Sequence, residues 1–378
     1  MELILKQYDI PLLRFSATND SSTPEIEVHW INEDQKHLLP LDMELSPEGI
    51  SRWMRRRTIP RNRAYVNRLL AKCGLNANRP MGILALCKGL SVDDSYWVVE
   101  EGFEGTFEKY NLFENRFSEV LALIAFTGYG SSNRSSLASS PEFTTNGMLP
   151  KCWRRISGKV TLYKGGTDGG YNTGAEPYCE YYAAQVAAAM GIDAIPYGLS
   201  QWKGRLCSTC ELFTDIDHAY MPIGNLVQRG GFDAVAAYYE NLGEPFQKAF
   251  RDMLVFDAVI CNTDRHYGNF GFMIDNKTNT IAAPAPLFDH GNSLFNQAGP
   301  EDYESPEAFQ QYIDTLVPCV YDDFFATAKC FMTDENREQL RKLLGFRFKR
   351  HVRYNLPPKR LKLMEEQVRK RAMRLLEN

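Results

Sequence analysis

Two short polar loops, NTDRHYGN at 262–269 and DHGN at 289–292, constrain this chain more than any other feature. The first follows the apolar run FDAVIC, and the second follows Leu287-Phe288. Between them FGFMIDNKTNTIAAP reads as two strand-like runs around a turn at 276–279, and a hairpin there sets both loops at one end of the fold. The loops would bring together Asp264, Asn269 and Asp289. A hard cation such as Mg²⁺ takes a carboxylate and one or two further oxygens, keeps waters and bridges substrate phosphates. An Asn carbonyl and one Asp carboxylate supply those oxygens, which leaves the other Asp to orient a hydroxyl nucleophile. Gly268 and Gly291 allow unusual backbone angles beside the site. The pattern points to phosphoryl transfer.

A transferred phosphate also needs a cation on its own oxygens. Lys164 ends the strand-like KVTLYKGG and offers a point charge for α and β phosphates. Upstream, residues 128–147 are rich in Gly, Ser, Thr and Asn, either as a linker or as a loop whose backbone N–H groups cover a triphosphate. On the following helix, EPYCEYYAAQVAAAMGI, Glu180 is placed to hold Lys164 by an ion pair, with Glu176 as a rival.

Composition sets outer limits. The 378 residues are 44% hydrophobic and 24% charged, which excludes a disordered or coiled-coil chain. Lys and Arg number 43 against 47 Asp and Glu, so no global basic field exists for nucleic acid. No apolar run reaches the roughly 18–20 residues of a membrane span, and MELILKQYDIPLLRF lacks the apolar core of a signal peptide. Nine cysteines at irregular spacings suit reduced thiols. The expectation is a soluble cytoplasmic protein of about two domains, without a membrane partner.

Local patterns suggest the elements. ILKQYDIPLLRF reads as a strand interrupted by Pro11, and EIEVHWI alternates with period two. Ser46 and Pro47 read as N-cap and first residue of a helix, and Gly74 as a C-cap. SQWKGRLCSTCELFTD reads as a hairpin turning at Lys203-Gly204. Residues 225–262 are helical in composition, and helices with a basic end follow from about 305.

NTDRHYGN and FDHG, downstream of LYKGG and the Ala-rich helix, resemble the HipA-like Ser/Thr kinases over residues 130–350. The resemblance implies an α+β, bilobal protein-kinase-like core related to the phosphoinositide 3/4-kinases, behind an N-terminal mixed α/β region. It divides the chain into an accessory region at 1–127, an N-lobe with the phosphate-binding loop at 128–215 and a helical C-lobe at 216–378. It implies ATP and Mg²⁺ as cofactors, with Asp264 as catalytic residue, Asn269 and Asp289 as metal ligands and Lys164 on the nucleotide phosphates. By the same resemblance the segment Glu211-Leu212-Phe213 is the hinge whose backbone bonds the adenine edge, and TTNGMLPK supplies the phosphate loop with Gly147 and Lys151. The resemblance implies an autophosphorylation site a few residues before that glycine, a serine in the family's namesake; here Thr144 and Thr145 are the candidates instead. The implied partners are a protein substrate and an antitoxin-like or DNA-binding regulator.

Other motifs carry bland alternatives. Cys207 and Cys210 form a lone CxxC with no second pair to complete a zinc site, so they read as strand cysteines. His266 reads as bonding the loop backbone, His290 as loop packing, and Arg265 as a surface residue or a partner for a phosphorylated loop. RWMRRRTIPRNR, from Arg52 to Arg63, is either a solvated helix face or a surface for an anionic partner. The tail from Arg347 to Arg374 holds eleven Lys or Arg against two Glu, but Leu361, Met364, Val368 and Leu375 suggest a docked helix rather than a nucleic-acid arm. Two other functions share the pattern: a small-molecule or lipid kinase, and a nucleotide-gated binding protein.

Overall fold

The stretch expected as one strand broken at Pro11 is a hairpin: β1 (Glu2–Gln7) and β2 (Ile10–Ala17) pair antiparallel. Tyr8 turns the chain with a positive φ of 49°. The register slips between Leu5 and Lys6, where Pro11 has no N–H to offer the ladder. A computed structural model describes residues 1–18, 23–130 and 140–377 of the protein. Positions 131–139, within the expected Gly/Ser-rich phosphate cover, lie outside the described residues.

β3 (Ile26–Ile31) flanks β2, α1 (Pro47–Arg56), α2 (Val66–Lys72) and α3 (Pro80–Cys87) follow, and β4 (Tyr96–Glu100) closes the sheet in the order β3-β2-β1-β4. Ser46 caps α1 by accepting from the Gly49 N–H at 3.1 Å, with Pro47 at the first helical position as expected. Strand alternation buries both faces of the sheet. Leu3, Leu5, Tyr96 and Val98 pack with Trp53, Met54, Met81 and Leu84. Trp97 and Val99 instead join Leu90, Phe107 and Trp153. α4 (Phe107–Tyr110), α5 (Glu119–Thr127) and the hairpin of β5 (Lys151–Ile156) and β6 (Lys159–Gly165) complete this stretch.

The basic run is in part the solvated face of the first reading, with Arg52, Arg55 and Arg61 exposed, and in part something neither reading held. Arg57 and Arg63 are interior residues at 7% and 2% exposure. Arg57 grips both oxygens of Asp94 at 2.7 and 2.8 Å and lies 4.6 Å over the Trp53 ring. Arg56 pairs with Asp42 at 2.9 Å, and Arg52 with Glu44 at 3.1 Å. Arg57 and Arg63 are thus withdrawn into the fold, whereas the Arg52–Glu44 pair lies at the surface.

Beyond β6 come α6 (Glu176–Met190) and the hairpin β7 (Gly198–Trp202) and β8 (Arg205–Glu211), turning at Lys203 and Gly204 with positive φ at both. β9 (His218–Pro222), α7 (Ile223–Leu226), α8 (Gly231–Leu242) and α9 (Glu244–Ile260) lead to β10 (Gly271–Asp275) and β11 (Thr280–Pro284). β9, β10 and β11 form a three-stranded sheet with β10 central. The remainder is α10 (Pro306–Ile313), α11 (Phe324–Phe331), α12 (Asp334–Arg341) and α13 (Pro358–Leu376).

These elements make two compact units. The first holds Met1–Lys164, Glu211–Met221 and Met273–Ala282; the second holds Gly165–Cys210, Pro222–Phe272 and Ala283–Asn378. Within the first, the late segments are sewn to the early ones: Tyr8 donates to the Ile216 carbonyl at 2.7 Å, and Asn279 to the carbonyls of His37 and Leu39 at 2.8 and 2.7 Å. Within the second, α9 is buried on every side from Asp252 to Ile260. The basic α13 docks by Leu361, Met364, Val368 and Leu375.

Candidate active site

α9 ends where Cys261 turns left-handed with φ 53°, and the Asn262 N–H bonds back to the Asp257 carbonyl at 3.1 Å. The chain then coils tightly, with His266 N–H on the Asp264 carbonyl at 2.8 Å and Asn269 N–H on the His266 carbonyl at 2.9 Å. His266 is exposed, and its Nδ1 accepts from the Gly268 N–H at 3.0 Å, the backbone role expected of it. Asn269 donates its amide N–H to the Asp264 carbonyl at 3.2 Å, which leaves its Oδ1 as the acceptor for a cation. Asp264 is half-buried, and its Oδ2 accepts from Asn292 at 2.8 Å. Asn292 in turn accepts from Asn296 at 2.9 Å.

Arg265 is no surface residue. At 1% exposure it fills the space between the two polar loops. Its guanidinium grips both oxygens of the buried Asp257 at 2.9 and 3.0 Å. It also donates to the carbonyls of Asn269 at 3.2 Å and Phe288 at 2.5 Å, and meets His290 Nδ1 at 2.9 Å. Burial opposes its charge, but Asp257 outweighs burial and holds the guanidinium above its ordinary range. One side chain thus ties the loop bearing Asp264 and Asn269 to the loop bearing Asp289. Asp289 itself is left-handed with φ 56°, a costly backbone state for a residue other than glycine, and its N–H donates to the Tyr197 hydroxyl at 3.1 Å. His290 is fully buried against Phe256 and Tyr197, as loop packing requires.

The two glutamates of α6 separate by their partners. Glu176 accepts from the Thr167 hydroxyl and, at 3.3 Å, from the Thr167 N–H. Glu180, 1% exposed, accepts from the Ser208 hydroxyl. A Cβ on Gly291 would stand 3.5 Å from Glu180 Oε1 and 3.2 Å from Glu176 Cβ, so the DHG backbone passes close over the helix.

The remaining candidates belong to the first unit. Lys164 on β6 stands opposite Lys151 on β5, and both are 6% exposed. Directly opposed residues share a sheet face, which sets the two amines on the same side of the hairpin. The Lys151 amine donates to the Asn146 carbonyl at 2.8 Å, closing the loop over Gly147. Gly147 has φ +90°, and a Cβ there would lie 2.1 Å from the Lys151 amine. Glu211, exposed at the end of β8, pairs with Lys159 at 2.7 Å, while Phe213 packs on Tyr220 with ring centroids 5.5 Å apart. The Thr144 hydroxyl is buried and donates to the Leu90 carbonyl at 2.9 Å. Thr145 is half-buried, donating to the Pro141 carbonyl at 2.7 Å and accepting from Trp153 Nε1 at 3.0 Å.

The donor chemistry fits the groups expected. Asp289 and Asn269 offer hard oxygens suited to Mg²⁺, and the Gly147 loop turns at a φ of +90° that favours glycine, with the Lys151 amine beside it. Among the described residues, no group of three or more His, Cys, Asp or Glu side chains gathers as a metal site, and Cys207 and Cys210 lie on β8 as strand cysteines. Sequence reasoning missed Asp257, Asn292, Arg63 and Glu142. Asp257 had a usable signal, a lone carboxylate inside the apolar FDAVIC that burial obliges to find a cation.

No protein-family model matches the chain. The serine/threonine-protein kinase CtkA of Helicobacter pylori is 27% identical over 135 residues, 32% of this chain and 41% of that protein. The chain therefore spans about two-fifths of the length of this curated relative. The crystal structure of CtkA, described as a proinflammatory kinase, aligns with TM-score 0.49 and 16% identity over 61% of this chain and 92% of its own. HipA of Shewanella oneidensis MR-1, solved in a toxin-antitoxin complex with HipB and operator DNA, aligns with TM-score 0.54 and 13% identity over 98% of this chain and 97% of its own. Among the described residues no helix is long and apolar enough to cross a membrane. The chain is an α+β protein with a HipA-like, kinase-like core.

Proposed function

We propose that this protein is an ATP- and Mg²⁺-dependent kinase that transfers the γ-phosphate to a Ser or Thr hydroxyl of a protein. Asp264 orients the acceptor hydroxyl and takes its proton, with Asn292 fixing the carboxylate. Asn269 and Asp289 hold Mg²⁺, which when bound neutralises charge on the phosphates. Lys164, Lys151 and the backbone at Gly147 receive the nucleotide phosphates, Glu180 is the partner residue of α6, and Glu211 and Phe213 flank the adenine edge. Most of the rate then comes from positioning and charge neutralisation. Residues 1–127 form an accessory region, 128–215 carry the phosphate loop, and 216–378 carry the catalytic and metal loops.

The observation that carries this reading is the Arg265 tie, a buried guanidinium that binds the backbone of both loops at once. Such cost in a polar site is intelligible if Asp264, Asn269 and Asp289 must act together. Autophosphorylation falls on Thr145 rather than Thr144, because Thr144 is buried at 3% exposure whereas Thr145 is only half-buried. By analogy with the HipA complex, an antitoxin-like or DNA-binding regulator is the partner to seek.

The test is transfer of radiolabelled γ-phosphate from ATP with Mg²⁺, beside Asp264→Ala and Asp289→Ala. Label in protein that disappears in both variants supports the kinase, and phosphopeptide mapping then decides between the two threonines. Label found only in small molecules or lipid would move the acceptor class. Absence of ATP binding would refute the reading.

A further inference from the structure

Arg63 belongs to the N-terminal region, yet its side chain lies at 0% exposure beneath the segment 142–151. Nη1 donates to the carbonyls of Glu142 at 2.7 Å and Thr145 at 3.2 Å. Nη2 donates to Glu142 Oε2 at 2.7 Å and to the Lys151 carbonyl at 2.8 Å. Thr145 and Lys151 are the two ends of the loop that carries Gly147. The next residue, Ala64, donates its N–H to the Met148 carbonyl at 2.8 Å, in the middle of the same loop. Glu142 completes the bracket, since its other oxygen accepts from the Trp153 N–H at 2.9 Å.

We propose that Arg63 is a positioning residue for the nucleotide phosphates: it clamps both ends of the 145–151 loop and makes the N-terminal region part of the nucleotide site. This rests on the reading of that loop as the phosphate-binding segment. A buried ion pair is a weak source of net stability. What Arg63 supplies is a set of directed bonds from a planar fork, which a lysine ammonium cannot reproduce. A loop fixed at both ends loses little further freedom when a ligand arrives, so the clamp acts on nucleotide affinity rather than on the transfer step.

The full-length protein serves for the test. Arg63→Met alone would strand the Glu142 carboxylate in the interior, so the test variants are Arg63→Lys and the paired Arg63→Met/Glu142→Gln. Radiolabelled ATP with Mg²⁺ in equilibrium dialysis gives the Kd, steady-state transfer gives kcat and KM, and amide hydrogen exchange reports the segment 142–151. The expected result is a Kd and KM raised about tenfold or more, with kcat at saturating ATP within about twofold. Faster exchange is expected at 142–151 and not in the sheet of β1–β4. A Kd within about twofold of the parent, or exchange that rises evenly through the first unit, overturns the assignment. If the parent protein itself fails to bind ATP, the kinase reading falls and takes this assignment with it. If the parent binds and the variants match it, this assignment alone falls.

Discussion

Replacing Arg265 with methionine measures how much of the site's order depends on one guanidinium. The stem survives and every polar contact goes. Asp257, none of whose side chain is exposed, becomes an uncompensated buried carboxylate, and breaking such a pair from one side costs about 3–5 kcal/mol. The Asn269 and Phe288 carbonyls lose a donor as well, which adds about 1 kcal/mol or more where water cannot reach. Set against a total of roughly 5–15 kcal/mol for a typical domain, a loss of about 4 kcal/mol is severe. The further substitution Asp257→Asn removes the stranded charge, so the double variant should recover about 2 kcal/mol of the loss. Urea unfolding at neutral pH, followed by far-UV circular dichroism on the four proteins of the cycle, supplies these differences. A single variant within about 1 kcal/mol of the parent would refute the argument, and so would strictly additive effects.

Gly147→Ala places a methyl against the Lys151 amine at a backbone angle of φ +90°, and should weaken ATP binding about tenfold or more. Gly158→Ala is the control: it has φ +85° in open space and should cost about 1 kcal/mol of stability without changing ATP affinity. Burial, reinforced by Asp94 and opposed by Ser91 and Arg57, pushes Asp93 up to about 6. Its native state therefore holds the proton more tightly than the unfolded chain, so this group's contribution declines as pH rises from about 4 to about 6, by up to about 3 kcal/mol. Asp93→Asn should remove that slope and stabilise the protein at pH 7; urea midpoints that stay parallel to the parent's from pH 4 to 7 would contradict this. Of the nine cysteines only Cys319 and Cys330 are exposed, and the thiol of Cys319, partly shielded from water, is pushed up to about 11 by that shielding and then by the Asp264 charge. Asp264→Asn should speed iodoacetamide labelling of Cys319 severalfold while leaving Cys330 unchanged, as read by peptide mass spectrometry.

What was legible in the sequence was local. The Ser46 cap, the Lys203-Gly204 turn and the apolar stripe of α13 are set by residues within a few positions of one another, and each formed as read. The loops around Asp264 and Asp289 were legible because the helix before them and the hairpin between them also carry short-range signals. Pro11 misled because the turn lies earlier, at Tyr8, a residue that seldom adopts positive φ. The basic run misled for another reason: Arg63 finds Glu142 across 79 residues, and composition cannot say which cations will be buried beside a distant acid. Glu176 and Glu180 sit one turn apart on the same helix, and spacing alone could not assign Glu176 to Thr167 and Glu180 to Ser208.

The first unit is assembled from three stretches separated by long excursions, and this bears on how the chain folds as it is made. Its opening stretch is complete once Lys164 has been synthesised, but the segment ending at Ala282 is still missing. At about 5–20 residues per second, the ribosome needs roughly 6–24 seconds to supply it. Throughout that interval the carbonyls of His37 and Leu39, the acceptors of Asn279, have no native donor from that residue. The nascent chain must therefore wait with an open seam, and pauses in translation between those two points would lengthen its exposure to chaperones and proteases.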